Sequence, residues 1–258
     1  MTNIHETAIV ASGAELDSSV TVGAYSIIED NVKIGAGSVV GPHCVIRSNT
    51  TMGENNHIFQ FSSVGEDPQD KKYAGEETYL IIGNGNTIRE YCTLNRGTAQ
   101  DDGTTSLGDK NWLMAYVHIA HDCRIGDETI FANNVTLAGH VTVGDYVIFG
   151  GFAGVHQFCH VGAHAFVANN AAVIRDVPPY IMAAGAPAVP RGINSEGLRR
   201  RGFGTDQTRN IKEAFRVLYR SGLRLEEARE KIATMVAEQP EIGIFAAALE
   251  GSERGIIR

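Results

Sequence analysis

No stretch of this 258-residue chain approaches the roughly 18 consecutive apolar residues that a membrane-spanning helix needs. The opening residues, MTNIHETAIV, hold no basic segment leading into an apolar one, so no secretory signal and a cytoplasmic location are expected. Cysteine is scarce. Cys44, Cys92, Cys123 and Cys159 lie far apart without Cys-x-x-Cys spacing, which argues against a zinc site or a disulfide framework. Basic residues are also sparse over most of the chain: residues 1–190 hold 9 Lys and Arg against 20 Asp and Glu, a balance of −11. Residues 191–258 reverse this, with 13 against 10 and a balance of +3. General nucleic-acid binding is therefore not expected, although the C-terminal part has room for a local basic patch facing an acidic partner.

What the chain has in quantity is a beat of six. From Ile4, every sixth residue through Val64 is apolar, among them Val22, Ile28, Ile34, Val40 and Ile46. Glycine often follows, as at Gly23, Gly35, Gly41 and Gly53. An amphipathic helix repeats every 3.6 residues and cannot hold this register, whereas short β-branched pieces broken by glycine suit brief strands and tight turns. Stacking such strands coil upon coil buries the aliphatic positions in a ladder, which predicts a β-solenoid. The four cysteines fall at the small-residue place of the repeat and are expected to be buried and inert.

The beat breaks twice. Residues 65–81, GEDPQDKKYAGEETYLI, lose the apolar positions but keep the count; residues 95–106, NRGTAQDDGTTS, shift the phase by one before Leu107 restarts it. Both are read as loops leaving the coil, where function commonly sits. Asp176-Val177-Pro178-Pro179 ends the regular pattern, and residues 185–192, GAPAVPRG, read as a connector. Residues 1–190 are thus assigned to the solenoid and 191–258 to a small helical domain. That domain has helices expected from an N-cap at Thr205 to about Tyr219, from Leu225 to Ala237, and from Pro240.

Chemistry is expected in the 113–157 stretch. Six of the nine histidines fall between His118 and His164. Read alone, a lone histidine is better explained by a structural role, and His118, His121 and His140 can be imagined as three ligands of a zinc lyase, without that family's ligand spacing.

The hexad [Ile/Leu/Val]-Gly-x-x-x-x, as in Ile34-Gly35-Ala36-Gly37-Ser38-Val39, resembles the hexapeptide acyltransferases. That likeness implies a left-handed parallel β-helix, three hexads per coil, and a homotrimer. The segments QFSSVGEDPQDKKYAGE (60–76), HIAHDCRIG (118–126), LAGHVTVGD (137–145), GVHQFCHVGAHAF (154–166), DVPPY (176–180) and EGLRRRGF (196–203) narrow it further. Together they resemble the UDP-N-acetylglucosamine O-acyltransferase family of lipid A biosynthesis.

The resemblance implies transfer of a (3R)-3-hydroxyacyl chain from acyl carrier protein to the 3-hydroxyl of UDP-N-acetylglucosamine. No cofactor or metal is implied, because the donor is the carrier protein's own phosphopantetheine thioester. It assigns His121 as general base, Asp122 as its orienting partner and Gly139 as an oxyanion donor. Substrate-binding positions carried over are Asp70, Lys72, His118, His140, His156, Gln157, Asn194, Glu196, Arg200 and Arg201. Phe166 and Asn169 match the segment that sets acyl-chain length, and Asn169, larger than the glycine of some members, implies a shorter channel than theirs. His160 and His164 match no role. With three hexads per coil, His121, Gly139 and Gln157 form one column and Asp122, His140 and Phe158 the next, within about two strand spacings, ~10 Å. Related readings keep the scaffold and change the acceptor: N-acylation of another amino sugar, or a 3-amino in place of the 3-hydroxyl.

Overall fold

The computed structural model describes residues 3–252 and 254–258. Most strands are two residues long, and each pairs in parallel with the strand one coil on. Along one face His118 pairs with Thr136, Thr136 with Gly154 and Gly154 with Ala172, a step of 18 residues each time. Three sheets of 11, 9 and 8 strands result, running the length of a left-handed parallel β-helix. The beat residues point inward: Ile28, Ile46, Ile58, Leu94, Leu113, Ile119, Leu137 and Val167 are fully buried. Ile4, in the first coil, is 38% exposed, since that coil has a neighbour on one side only.

The corners explain why the count is six. At most corners the third residue after the beat aliphatic adopts positive φ, as at Tyr25, Asn31, His43, Asp122, His140 and Phe158, with φ between 56° and 64°. A left-handed residue with a side chain costs about 1–2 kcal/mol. Here it turns the chain from one sheet to the next and stacks its side chain on the corner one coil away. Tyr25, His43, Phe61, Tyr91 and Tyr116 form such a stack, with successive centroids 4.9–5.2 Å apart.

The two excursions are smaller than the lost apolar pattern implies. Ser63 pairs with Thr93 and Thr93 with His118, steps of 30 and 25 residues, so the loops add 12 and 7 residues to the coil. The first insertion is two whole hexads, which preserves the phase; the second is one hexad plus one, which shifts it. Strands Ser63–Glu66 and Tyr79–Ile82 occupy the ends of 65–81, and Thr93–Asn95 and Thr104–Leu107 those of 95–106. Buried Arg96 ties the loops together, donating to Gly65 O, to the Asp67 carboxylate and to Tyr73 Oη.

Beyond the prolines the sheet gains one more parallel rung, Ile181–Ala184 against Phe166–Val167, and Val189–Ile193 folds back antiparallel on it. The expected connector is therefore partly strand. Four helices follow: α1 (Ser195–Arg200), α2 (Thr205–Arg220), α3 (Leu225–Met235) and α4 (Gly243–Glu250), with a 3-10 turn at Pro240–Ile242. The N-cap of α2 is Gly204 rather than Thr205; its N–H bonds the Gln207 side chain at 2.9 Å, a local contact that a preference for hydroxyl caps does not anticipate. Helix α1, too short to show a hydrophobic period, was not expected. None of the described helices is long and apolar enough to cross a membrane.

Phe131 and Phe149 stack at 4.8 Å inside the solenoid, both fully buried. Phe149→Ala is expected to cost about 3–5 kcal/mol by leaving a cavity between coils. Urea unfolding checks this, the midpoint falling while the unfolding slope holds.

Candidate active site

The corner between the sheet holding His118 and the sheet holding Arg124 carries both predicted columns. His121 lies against Gly139: a Cβ placed on Gly139 would come within 2.5 Å of His121 Cε1 and 2.7 Å of Nε2. Only glycine leaves the imidazole and the backbone this close. No acceptor among the described residues takes the Gly139 N–H.

His121 Nδ1 lies 2.7 Å from Asp122 Oδ2. That bond places the Nδ1 proton on the carboxylate side and leaves Nε2 as the basic nitrogen. Asp122 is fully buried, sitting behind the histidine rather than in the cleft. Thr98 donates twice to it, from its backbone N–H at 2.8 Å and its hydroxyl at 2.7 Å. Burial alone would raise the Asp122 pKa. The bonds from His121 and Thr98 outweigh it and hold the carboxyl below its usual range, so the group stays ionised.

His140, on the next corner position, stacks on Phe158 at 4.4 Å and stands edge-on to His121 at 5.2 Å. Its Nδ1 faces Asp101 Oδ2 at 3.1 Å, and its Nε2 lies 3.5 Å from Asp122 Oδ2. His118 is anchored through Nδ1 to Thr93 Oγ1 at 2.7 Å. Burial, then the neighbouring His121, pushes its pKa down, which favours neutral imidazole.

These groups open onto a cleft of about 840 Å³. Of the sequence-predicted residues, Asp70, Lys72, His118, His121, Gly139, His140 and Gln157 line it together. The first loop supplies Asp70 and Lys72, whose own turn is closed by Lys72 N–H on Asp70 Oδ1 at 3.0 Å.

Other predicted residues lie elsewhere on the chain. His156 turns to the Gln157 carbonyl, Nδ1 to O 3.2 Å, and stays outside the cleft lining. Phe166 lies on strand Phe166–Val167 and Asn169 at the corner that follows it, away from His121, where the Asn169 side chain lies over Gly150. Asn194 caps α1, accepting from Gly197 N at 3.1 Å and donating to His164 O at 2.9 Å. Glu196 pairs on the exposed helix face with Arg199 and Arg200, which hold its carboxyl down to about 2. Arg201 binds Glu128 and lies over the Tyr146 ring at 4.4 Å. His164 belongs to this third corner, stacked between Tyr146 and Tyr180, with burial, then Arg201, lowering its pKa.

The sequence does not mark Thr98, Asp101 or Arg124: the first two lie in a loop outside the repeat, and Arg124, inside the repeat on strand Arg124–Ile125, holds an outward position where a charged residue reads as a solvated face. The cysteines are buried as expected, and burial raises each thiol, Cys92 and Cys123 to about 12. Ligand-capable atoms of His121, Asp122 and His140 lie within 4.8 Å of one another, a different trio from the three histidines imagined for zinc. Hydrogen bonding explains this trio, since Asp122 Oδ2 already accepts from His121 and from the Thr98 hydroxyl.

The chain matches a family model described as UDP-N-acetylglucosamine O-acyltransferase, domain 2, over residues 176–257, and one for the bacterial transferase hexapeptide over 25–60 and 104–139. It is 59% identical over 258 residues to an acyl-[acyl-carrier-protein]--UDP-N-acetylglucosamine O-acyltransferase of Thiobacillus denitrificans, all of both chains being covered. The enzyme so named from Herminiimonas arsenicoxydans is also 59% identical, again with full coverage. Among solved structures, the UDP-N-acetylglucosamine O-acyltransferase of Moraxella catarrhalis superposes with a TM-score of 0.97 at 45% identity, covering 99% of this chain and 100% of that one. The UDP-N-acetylglucosamine acyltransferase of Francisella novicida gives 0.97 at 44%, covering 99% and 94%. With a column of His121 over Gly139 on a hexapeptide solenoid, and full-length relatives at this identity, the chain belongs to the UDP-N-acetylglucosamine O-acyltransferase family.

Proposed function

We propose that this chain transfers a (3R)-3-hydroxyacyl group from the phosphopantetheine thioester of acyl carrier protein to the 3-hydroxyl of UDP-N-acetylglucosamine. This is the opening step of lipid A biosynthesis, and His121 serves as general base. The observation that carries the mechanism is the His121–Asp122 bond set against Gly139. His121 Nε2 takes the hydroxyl proton as that oxygen attacks the thioester carbonyl. Negative charge gathers on the former carbonyl oxygen, where the Gly139 N–H supplies a fixed donor. Collapse of the tetrahedral intermediate breaks the carbon–sulfur bond, and the imidazolium returns its proton to the departing thiolate. The ionised Asp122 stabilises the imidazolium between the two transfers. No cofactor takes part in these steps.

We infer further that the working enzyme is a homotrimer. In one chain the proposed residues are spread over separate corners of the prism: His121 on one, Asn169 on another, Glu128 with Arg201 on the third. Three-fold packing brings unlike corners of neighbouring copies face to face, so that Asn194, Glu196, Arg200 and Arg201 join the sugar-nucleotide end and Phe166 and Asn169 the acyl end. Exposed outward aliphatics, Ile9 at 64% and Ile81 at 48%, supply apolar surface for such packing.

A mixed assay separates the readings. Ester formation with hydroxyacyl carrier protein as donor is expected, with none from acetyl-coenzyme A; amide formation on a 3-amino acceptor, faster than ester, would favour the alternative acceptor. Activity should also survive a chelator. Asn169→Gly is expected to shift preference toward longer donors, read from a panel of chain lengths. An unchanged preference removes Asn169 from the ruler.

A further inference from the structure

We propose that the second loop is a two-armed positioning device, in which Thr98 sets the base pair and Asp101, latched by Arg124, sets His140. Six residues, Thr98 to Gly103, leave the coil and return to strand Thr104–Leu107. The neck is tight: a Cβ on Gly97 would lie 2.2 Å from Thr104 N, and Gly97 N–H is held by Tyr79 O at 3.1 Å. The loop is braced internally by Asp101 N–H on Thr98 O at 3.2 Å, and by Thr104 N–H on Asp102 Oδ1 at 3.0 Å.

The first arm reaches backward. Thr98 makes two of the bonds that orient Asp122, whose carboxylate also meets His121 Nδ1 at 2.7 Å and His140 Nε2 at 3.5 Å. A carboxylate held from behind cannot turn away when the imidazole becomes charged. Thr98 touches no reacting atom and acts through Asp122.

The second arm reaches forward into the cleft. Asp101 Oδ2 accepts from His140 Nδ1 at 3.1 Å, fixing the ring that Phe158 stacks against. Asp101 is in turn tied to the scaffold. Arg124, on a strand of the coil, donates to Asp101 Oδ1 at 3.0 Å and to Asp102 Oδ2 at 2.8 Å. This guanidinium, then His140, also keeps the Asp101 carboxyl below its usual range. A loop otherwise free at its tip is thus bridged to the rigid solenoid through two carboxylates. One short loop orients two histidines by two different carboxylates.

The inference rests on His121 acting as base, and the kinetic signatures follow from what each arm holds. Thr98→Val removes the hydroxyl bond to Asp122 and is expected to lower kcat about 10- to 100-fold, the size of one charge-assisted hydrogen bond, with KM little changed. Asp101→Ala frees His140, which is not the base. It is expected to raise KM for UDP-N-acetylglucosamine about 10-fold or more while kcat stays within about 3-fold. Arg124→Ala should reproduce a part of the Asp101→Ala effect and Arg124→Lys restore most of it. Arg124→Ala placed on Asp101→Ala should add nothing, because the arginine works through the aspartate. In nitrogen-15 spectra of histidine-labelled protein, the His140 Nδ1–H signal should weaken in Asp101→Ala and not in Thr98→Val.

A loop that merely stabilises the fold would lower the folded, active fraction in both variants, so that apparent kcat falls with KM unchanged in Asp101→Ala as well, and that result overturns the proposal. Multiplying effects of Asp101→Ala and Arg124→Ala overturn the latch. His121→Ala run alongside keeps the two claims apart: if it retains full activity the base assignment has failed, whereas an inactive His121→Ala with no kcat–KM split defeats the loop proposal alone.

Discussion

Replacing His121 by alanine is expected to leave a folded protein whose turnover falls about 10²- to 10⁴-fold, the usual contribution of a positioned general base. The imidazole is half-buried at the cleft wall and carries no core load; the beat residue beside it, Ile119, and Cys123 fill the interior. Circular dichroism and thermal unfolding should therefore be near wild type. KM for the sugar nucleotide should move far less than kcat, because the lost interaction is made chiefly in the transition state. Asp122→Asn is a milder version of the same lesion in charge but a harsher one in geometry. An amide offers Asp122's place one acceptor fewer, where Thr98 and His121 now supply three donors. Loss of activity there should be accompanied by some loss of stability.

The second large effect belongs to Gly139. Alanine puts a methyl group 2.5–3.0 Å from three atoms of the His121 ring, well inside contact distance. The backbone itself does not forbid a side chain at this position, so the strain falls on the imidazole. Either the ring swings out and loses its 2.7 Å bond to Asp122, or the coil spreads locally. A displacement near 1 Å at a reacting group costs on the order of 10²-fold in rate. Gly139→Ala is thus expected to approach His121→Ala in kcat, and the double variant to be no slower than the worse single one. Multiplicative losses would mean that Gly139 acts independently of the base.

The solenoid was legible because its period is written in single residues. Val22, Ile28 and Ile34 mark consecutive sheets, and the 12- and 7-residue insertions reproduce the kept and shifted phases. The stacking of His121, Gly139 and Gln157 followed from the coil length, and so did that of His140 on Phe158. The corner conformation was not legible, because residues as different as Tyr25, Asn31, Asp122 and His140 adopt it. Position in the coil, not residue preference, forces the left-handed turn. Contacts made by loops were equally hidden: Thr98 finds Asp122, 24 residues on, and Asp101 finds His140, 39 residues on, by routes that no periodicity describes. Asn194 and Arg201 show a different limit. Their motif pointed to the nucleotide end, but in the single chain both are engaged in docking α1 to the third corner.

The most direct measurement is product analysis of one reaction mixture: purified protein, UDP-N-acetylglucosamine and 3-hydroxyacyl carrier protein, read by mass spectrometry of the sugar nucleotide. Wild-type protein is predicted to yield the mono-O-acyl ester with matching release of free carrier-protein thiol, and His121→Ala to yield ester about 10²- to 10⁴-fold more slowly. No ester from the wild type, or equal rates from wild type and a folded His121→Ala, would contradict the assignment of this corner as the acyl-transfer site.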